Sequence, residues 1–152
     1  MPRRTELSPL ESHLGYWIRY VSNHVSHAFA LKLAAVGVTV AEWAVLRELY
    51  DSESAPSTLA DRLGMTRGAI SKLADRLIDK ALIVRRINAG DRRFQSLALT
   101  RQGRAITPKL AALADENDAE FFADLDIEAR AAIAATMKAI VRRKRLRGAP
   151  VD

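Results

Sequence analysis

The period of the apolar residues changes once, sharply, next to Ala81, and that change limits what the chain can fold into. Before it, Ala69, Ile70, Leu73, Leu77 and Leu82 recur at helical spacing. After it, Ile83, Val84 and Ile87 lead into Asn88-Ala89-Gly90-Asp91, and Phe94, Leu97 and Leu99 return. The pattern predicts one helix capped by Thr66, then a two-stranded hairpin. At about 100° per residue, the side of the helix facing away from its apolar stripe carries Gly68, Ser71, Lys72, Asp75 and Asp79, with Arg67 and Arg76 on its flanks. Arg85, Arg86, Arg92 and Arg93 fall in the hairpin.

A small, polar, cationic helix face followed by an arginine-bearing ribbon suits double-stranded nucleic acid. A helix fits the major groove, and a ribbon can lay a cation in the minor groove. The plain alternative is an ordinary solvated helix face. The hairpin directly downstream argues against it. Asp75 and Asp79 oppose phosphate binding and are expected to pair with Lys72, Arg76 or Lys80 at helical spacing. Asp91 is expected to orient an arginine and the turn.

Leu59-Ala60-Asp61-Arg62-Leu63-Gly64, the helix with Ser71, Leu82-Ile83-Val84-Arg85, and Asp91-Arg92-Arg93 ahead of Leu97-Ala98-Leu99-Thr100 and Arg101-Gln102-Gly103 together resemble the MarR family of winged-helix transcription regulators. The hairpin is the most specific part, and the resemblance extends over nearly the whole chain. It implies a homodimeric repressor on a pseudo-palindromic operator, relieved by a small aromatic anion. Thr66, Arg67, Gly68, Ser71, Lys72 and Arg76 would serve the major groove. Arg93 matches the family's minor-groove arginine, Arg92 would touch phosphate, and Asp91 would support the wing. Two positions depart from the family pattern. Ala81 stands where glycine is common, and a left-handed cap is costly for alanine. Gly90 stands at the wing tip where relatives often carry a charge.

The flanking segments predict helices. Ser8-Pro9-Leu10-Glu11 carries an N-cap serine, proline at the first helical position and a capping-box glutamate. The helix is expected to run to Val36 and stop at Gly37, roughly 42 Å. Leu10, Leu14, Ile18, Val21, Val25, Phe29 and Val36 form one stripe, and His13, Trp17, Tyr20, His24, His27 and Leu31 a second. An arc that wide needs cover on two sides, which points to a second subunit. Thr39-Val40-Ala41-Glu42 is a second capping box, opening a helix with Trp43, Leu46, Leu49 and Tyr50. Thr100 caps a long helix in which Pro108 predicts a kink. Asp126 caps the last helix, and a basic tail follows.

The fold expected is mainly α with a small β-hairpin wing. It comprises a winged helix-turn-helix lobe over 39–100 and a helical dimerisation lobe from 8–37 and 101–147, all in one protomer of 152 residues. The net charge of +6 favours a polyanionic partner. The absence of cysteine excludes disulfides, thiolate metal sites and cysteine redox sensing. No apolar run of about 18 residues suggests a membrane span, so no membrane partner and a cytoplasmic location are expected. His24 and His27 lie one turn apart but lack a third ligand, and no metal or cofactor is expected. No catalytic set is recognisable, so no enzyme activity is expected. His13, Trp17, Tyr20, His24 and Trp43 are candidates for a cleft taking an aromatic anion. The competing functional reading is a non-enzymatic helical module that uses its winged-helix lobe to bind protein.

Overall fold

The structure, a computed structural model, describes residues 6–91 and 93–148. Among these residues, six helices and one antiparallel hairpin follow in order: α1 (Leu14–Ala34), α2 (Val40–Asp51), α3 (Pro56–Leu63), α4 (Arg67–Asp79), β1 (Ile83–Ile87), β2 (Gln95–Leu99), α5 (Arg101–Phe122) and α6 (Ile127–Lys144). No helix is long and apolar enough to cross a membrane among the described residues.

The first helix starts later than its sequence suggests. Leu10–Ser12 form a 3-10 turn, His13 is extended, and α1 begins at Leu14. The Ser12 hydroxyl donates to Pro9 O at 2.7 Å, and the Trp17 indole donates to Glu11 O at 2.8 Å. These local bonds satisfy the turn by itself, so Ser8 does not open a continuous helix. The other end is as expected. Gly37 adopts φ +76°, and the Val38 N–H returns to Leu33 O at 3.1 Å.

Side-chain caps set most of the remaining boundaries. Thr39 and Glu42 close a full capping box on α2, at 3.1 Å in both directions. Thr66, Thr100 and Asp126 each accept the N–H three residues on, heading α4, α5 and α6. Between α3 and α4, Gly64 turns the chain at φ +63°, which makes the helix-turn-helix. The hairpin pairs Ile83 with Leu99 and Ile87 with Gln95. Ser54, in the α2–α3 link, adds a bridge to Leu97.

The core lies between α2, α3, α4, the base of the hairpin and the first half of α5. Val45, Leu46, Leu49, Leu59, Ile70, Leu77, Ile83, Leu97 and Leu110 are fully buried there, and Leu33 joins them from the end of α1. Burying a side chain of this kind contributes roughly 1.5–3 kcal/mol. Gly103 allows α5 to start against the chain after α4. A Cβ at that position would stand 2.0 Å from Leu82 O. The α5 helix continues through Pro108, where a kink is expected from sequence, and the neighbouring Thr107 hydroxyl donates to Gly103 O at 2.7 Å. Higher up, buried Asn117 joins α5 to α1. Its amide donates to Val25 O and its carbonyl accepts from Lys32 Nζ, both at 3.1 Å.

Candidate nucleic-acid interface

The exposed side of α4 forms the centre of the site. Ile70, Leu73, Ala74 and Leu77 bury one side of the helix, leaving Arg67, Gly68, Ser71 and Lys72 exposed over its first two turns. Thr66 is exposed too, but its hydroxyl oxygen is taken by the Ala69 N–H at 3.1 Å. Arg67 and Lys72 make no ion pair among the described residues, so two cations at the helix start point outward without an acidic partner. Nothing lies closer than 4.0 Å to where a Gly68 side chain would begin, which leaves that patch open.

The hairpin supplies the second cationic site. Arg93 is held on Asp91 through both ends of its guanidinium, with Nε–Oδ1 3.1 Å and Nη2–Oδ2 3.0 Å, and the Arg93 N–H also donates to Oδ1. The clamp leaves the arginine side chain 90% exposed. The Arg93 guanidinium, then its own N–H, holds the Asp91 carboxyl below the usual carboxylate range, and Asp91 in turn raises Arg93. Asp91 therefore orients this arginine without hiding it. The phosphate contact expected of Arg92 falls outside the described residues.

Three expected pairings differ. Asp75 does not pair along its own helix; it accepts from Arg85 Nη2 on β1 at 2.7 Å and braces the hairpin against α4. Arg76, placed by sequence on the flank of the DNA face, points into α2. Its Nε and Nη2 lie 3.2 and 3.0 Å from Glu42 Oε1. Lys80 donates to Glu42 Oε2 at 2.8 Å. Sequence reasoning misses Glu42 as a partner of α4 because it stands 34 residues before Arg76 in the chain. Its only sequence signal is the capping box. Burial pulls the Glu42 carboxyl upward, but Lys80, the Thr39 N–H and Arg76 together hold it below its ordinary value.

The aromatic candidates are only partly brought together. Trp17, Tyr20 and His24 line one side of α1, with ring centroids 6.5 Å apart for Trp17–Tyr20 and 5.2 Å for the stacked Tyr20–His24 pair. Tyr16 belongs to this run, 5.2 Å from Trp17, and sequence reasoning misses it; its spacing of four from Tyr20 is the available signal. His13 sits at the extended break before α1, with Nδ1 3.2 Å from Pro9 O. Trp43 is half-buried on α2, packed on the core and outside the α1 aromatic run. Among the described residues no cluster of three or more metal-ligating side chains occurs.

Comparison with known proteins follows the same outline. The MarR family model matches residues 36–93, from the end of α1 through the wing turn. No curated protein matches the chain. Among solved structures, a MarR variant from E. coli complexed with operator DNA is 25% identical, with TM-score 0.76, over 84% of this chain and 93% of that one. MepR from S. aureus, in a DNA complex, is 22% identical with TM-score 0.78, over 86% and 98%. CouR from Rhodococcus jostii RHA1, bound to p-coumaroyl-CoA, is 23% identical with TM-score 0.78, over 88% and 95%. With its helix-turn-helix, Asp-Arg-Arg hairpin and flanking helices, the chain shares the winged-helix fold of these proteins, and its residues 36–93 match the MarR family model.

Proposed function

We propose that this chain is a MarR-family transcription regulator, a homodimeric repressor that docks α4 in the major groove of a pseudo-palindromic operator and lays Arg93 into the adjacent minor groove. The observation that carries the reading is the pair of outward, differently mounted cationic sites. Arg67 and Lys72 are exposed on the first turns of α4, and Arg93 is clamped but exposed on the wing. The operator-bound MarR from E. coli adds support. Thr66, Gly68 and Ser71 permit close approach of the helix, and Arg92 is assigned to phosphate. Residues 39–100 act as the DNA-binding lobe, and 8–37 with 101–147 as the dimerisation lobe. Two-fold symmetry then sets the half-sites about one helical turn, roughly 10 bp, apart. A small aromatic anion seated near His13, Trp17, Tyr20, His24 and Trp43 relieves repression by preferring a spacing of the recognition helices that does not fit the operator.

The test is binding to the DNA flanking the protein's own gene, at several salt concentrations, with and without aromatic acids. Arg93→Ala should weaken sites with A·T-rich flanks most, because a narrow minor groove attracts guanidinium. Lys72→Ala should alter preference inside the half-site. A variant that no longer neutralises one phosphate should show a slope of log K against log[salt] shallower by about 0.9. Arg145→Ala, at the end of α6, is the charge control. A loss for Arg145→Ala as large as for Arg93→Ala would mean that diffuse charge drives binding. Salt-insensitive binding without operator preference would favour the protein-interaction module instead.

A further inference from the structure

We infer that Glu42 is a positioning residue for the DNA-reading helix, and that Arg76 serves it there and does not contact DNA. Four acceptor positions of this one carboxylate are filled. Oε1 takes Arg76 Nε and Nη2, while Oε2 takes the Thr39 N–H and Lys80 Nζ, all between 2.8 and 3.2 Å. The Glu42 side chain is 1% exposed, whereas Arg76 and Lys80 remain half-exposed. Lys80 also donates to Gly37 O at 2.8 Å. A single carboxylate thus joins the first turn of α2 to the end of α4, and Lys80 extends the tie to Gly37 just beyond α1.

A cap alone does not require this arrangement. The capping box works with glutamine as well as glutamate, so the negative charge is surplus to closing α2. That charge is matched instead by two cations four residues apart on α4. A buried carboxylate is tolerated only when its charge is paired and its lone pairs are filled, which fixes where Arg76 and Lys80 can sit. Lys72 lies about 6 Å along the axis from Arg76, on the same rigid helix, so a shift at the clasp moves the DNA-facing turns with it. Asp75–Arg85 ties the same helix to the hairpin. The two contacts together set α4 against both α2 and the wing.

The affinity arm of the test rests on the DNA-binding reading; a second arm does not. Glu42→Gln, Arg76→Ala, Arg76→Lys and the Glu42→Gln/Arg76→Ala double variant are compared for operator affinity across a salt series. Folded state is checked by circular dichroism at the assay temperature. Hydrogen exchange of the free proteins is followed over residues 76–82. Glu42→Gln and Arg76→Ala should each weaken binding on the order of tenfold. The double variant should be little worse than either, Arg76→Lys should recover most of the loss, and the salt slope should be unchanged. Exchange near Arg76 should speed up in Glu42→Gln. Additive losses, or a slope lowered by about 0.9 in Arg76→Ala alone, would return Arg76 to the DNA and overturn the inference. So would unchanged affinity and exchange in Glu42→Gln. If the wild-type protein binds no operator DNA, the proposed function fails, but the exchange comparison still decides whether the clasp holds α4.

Discussion

The middle of the chain and its two ends use apolar residues in opposite ways. From Leu33 to Leu110 most are sealed into one core, with Ile87 and Phe94 on the outer hairpin the most exposed exceptions. In α6 no residue is fully buried, and in α1 only Leu33 is. Leu14, Ile18 and Val21 on α1, and Ile127, Ile133, Met137 and Val141 on α6, stay open in the single chain. The difference is not one of composition, since both regions contain periodic apolar stripes. It is one of supply. The middle contains enough facing elements to cover its own stripes, whereas α6 has almost nothing of its own chain to pack against. Exposed apolar surface on this scale marks an interaction site, and the proposed second subunit is the cover that would complete it.

The largest effect should come from charging that open surface. Ile133→Asp places a carboxylate among α6 residues that the proposed dimer buries. An unpaired charge there costs several kcal/mol, enough to shift the protein from dimer to monomer or aggregate at micromolar concentration. Light scattering reads the outcome. A wild-type protein that is already monomeric would break the comparison, because the open stripes would then need a different explanation.

Next comes a substitution on the sealed side. Gly103→Ala drives a methyl group into the Leu82 carbonyl, and neither backbone can yield without disturbing the Thr100 cap or the first rung of the hairpin. The cost should be about 3 kcal/mol, at the upper end for overpacking, measured as a lowered urea midpoint. Ala131→Ser, on the exposed face of α6, should change stability by no more than about 0.5 kcal/mol.

Acid sensitivity should also belong to the middle of the chain. The folded-state pKa of Glu42 is depressed. Its contribution is therefore fully present above the unfolded carboxylate value of about 4.3 and is lost as pH falls through the folded value. Glu42→Gln should be less stable than wild type near neutral pH, with the gap closing below about pH 4. Urea melts at a series of pH values would show it. A constant gap would mean that packing, and not the charge, holds the junction.

What can be read from the sequence divides along a related line. Thr39 with Glu42, Thr66, Thr100 and Asp126 announce their helices because cap and capped N–H lie within three residues of each other. The hairpin is legible because a change of period is local. Residues that meet across the fold are not. Spacing assigns Asp75 to its own helix, yet it holds Arg85; spacing places Arg76 on the flank of the exposed face but gives no sign that it holds Glu42 on α2. Helical spacing gives the neighbours within one helix, but it says nothing of a partner on another element with better geometry. The start of α1 departs from expectation for a different reason. Ser8, Pro9 and Glu11 satisfy the rules for a cap, but Ser12 and Trp17 offer Pro9 and Glu11 closer bonds that close a short turn first.

The smallest expected effect compares the two regions at the same backbone geometry. Among the described residues, two that are not glycine adopt the left-handed conformation, Ala81 at φ 59° and Arg145 at φ 52°. Each ends a helix, α4 and α6 respectively, and a left-handed turn costs such a residue about 1–2 kcal/mol. At Ala81 the turn is tied to its surroundings by hydrogen bonds. The Leu82 N–H returns to Leu77 O at 2.9 Å, and the Thr100 hydroxyl donates to Ala81 O at 2.7 Å. The conformation there is imposed by the fold, and relieving it should be felt by the whole cooperative unit. Ala81→Gly should stabilise the protein by about 0.5–1 kcal/mol, the relief being partly offset by the greater freedom of glycine in the unfolded chain. At Arg145 the same substitution acts on a helix end with little packed against it. It also removes a cation from the end of a helix, where positive charge is favourable. A terminus of this kind opens locally without unfolding the rest, so Arg145→Gly should leave the global midpoint unchanged. Equal gains from the two glycines would mean that the end of α6 belongs to the same cooperative core as α4, and the contrast between middle and ends would fail.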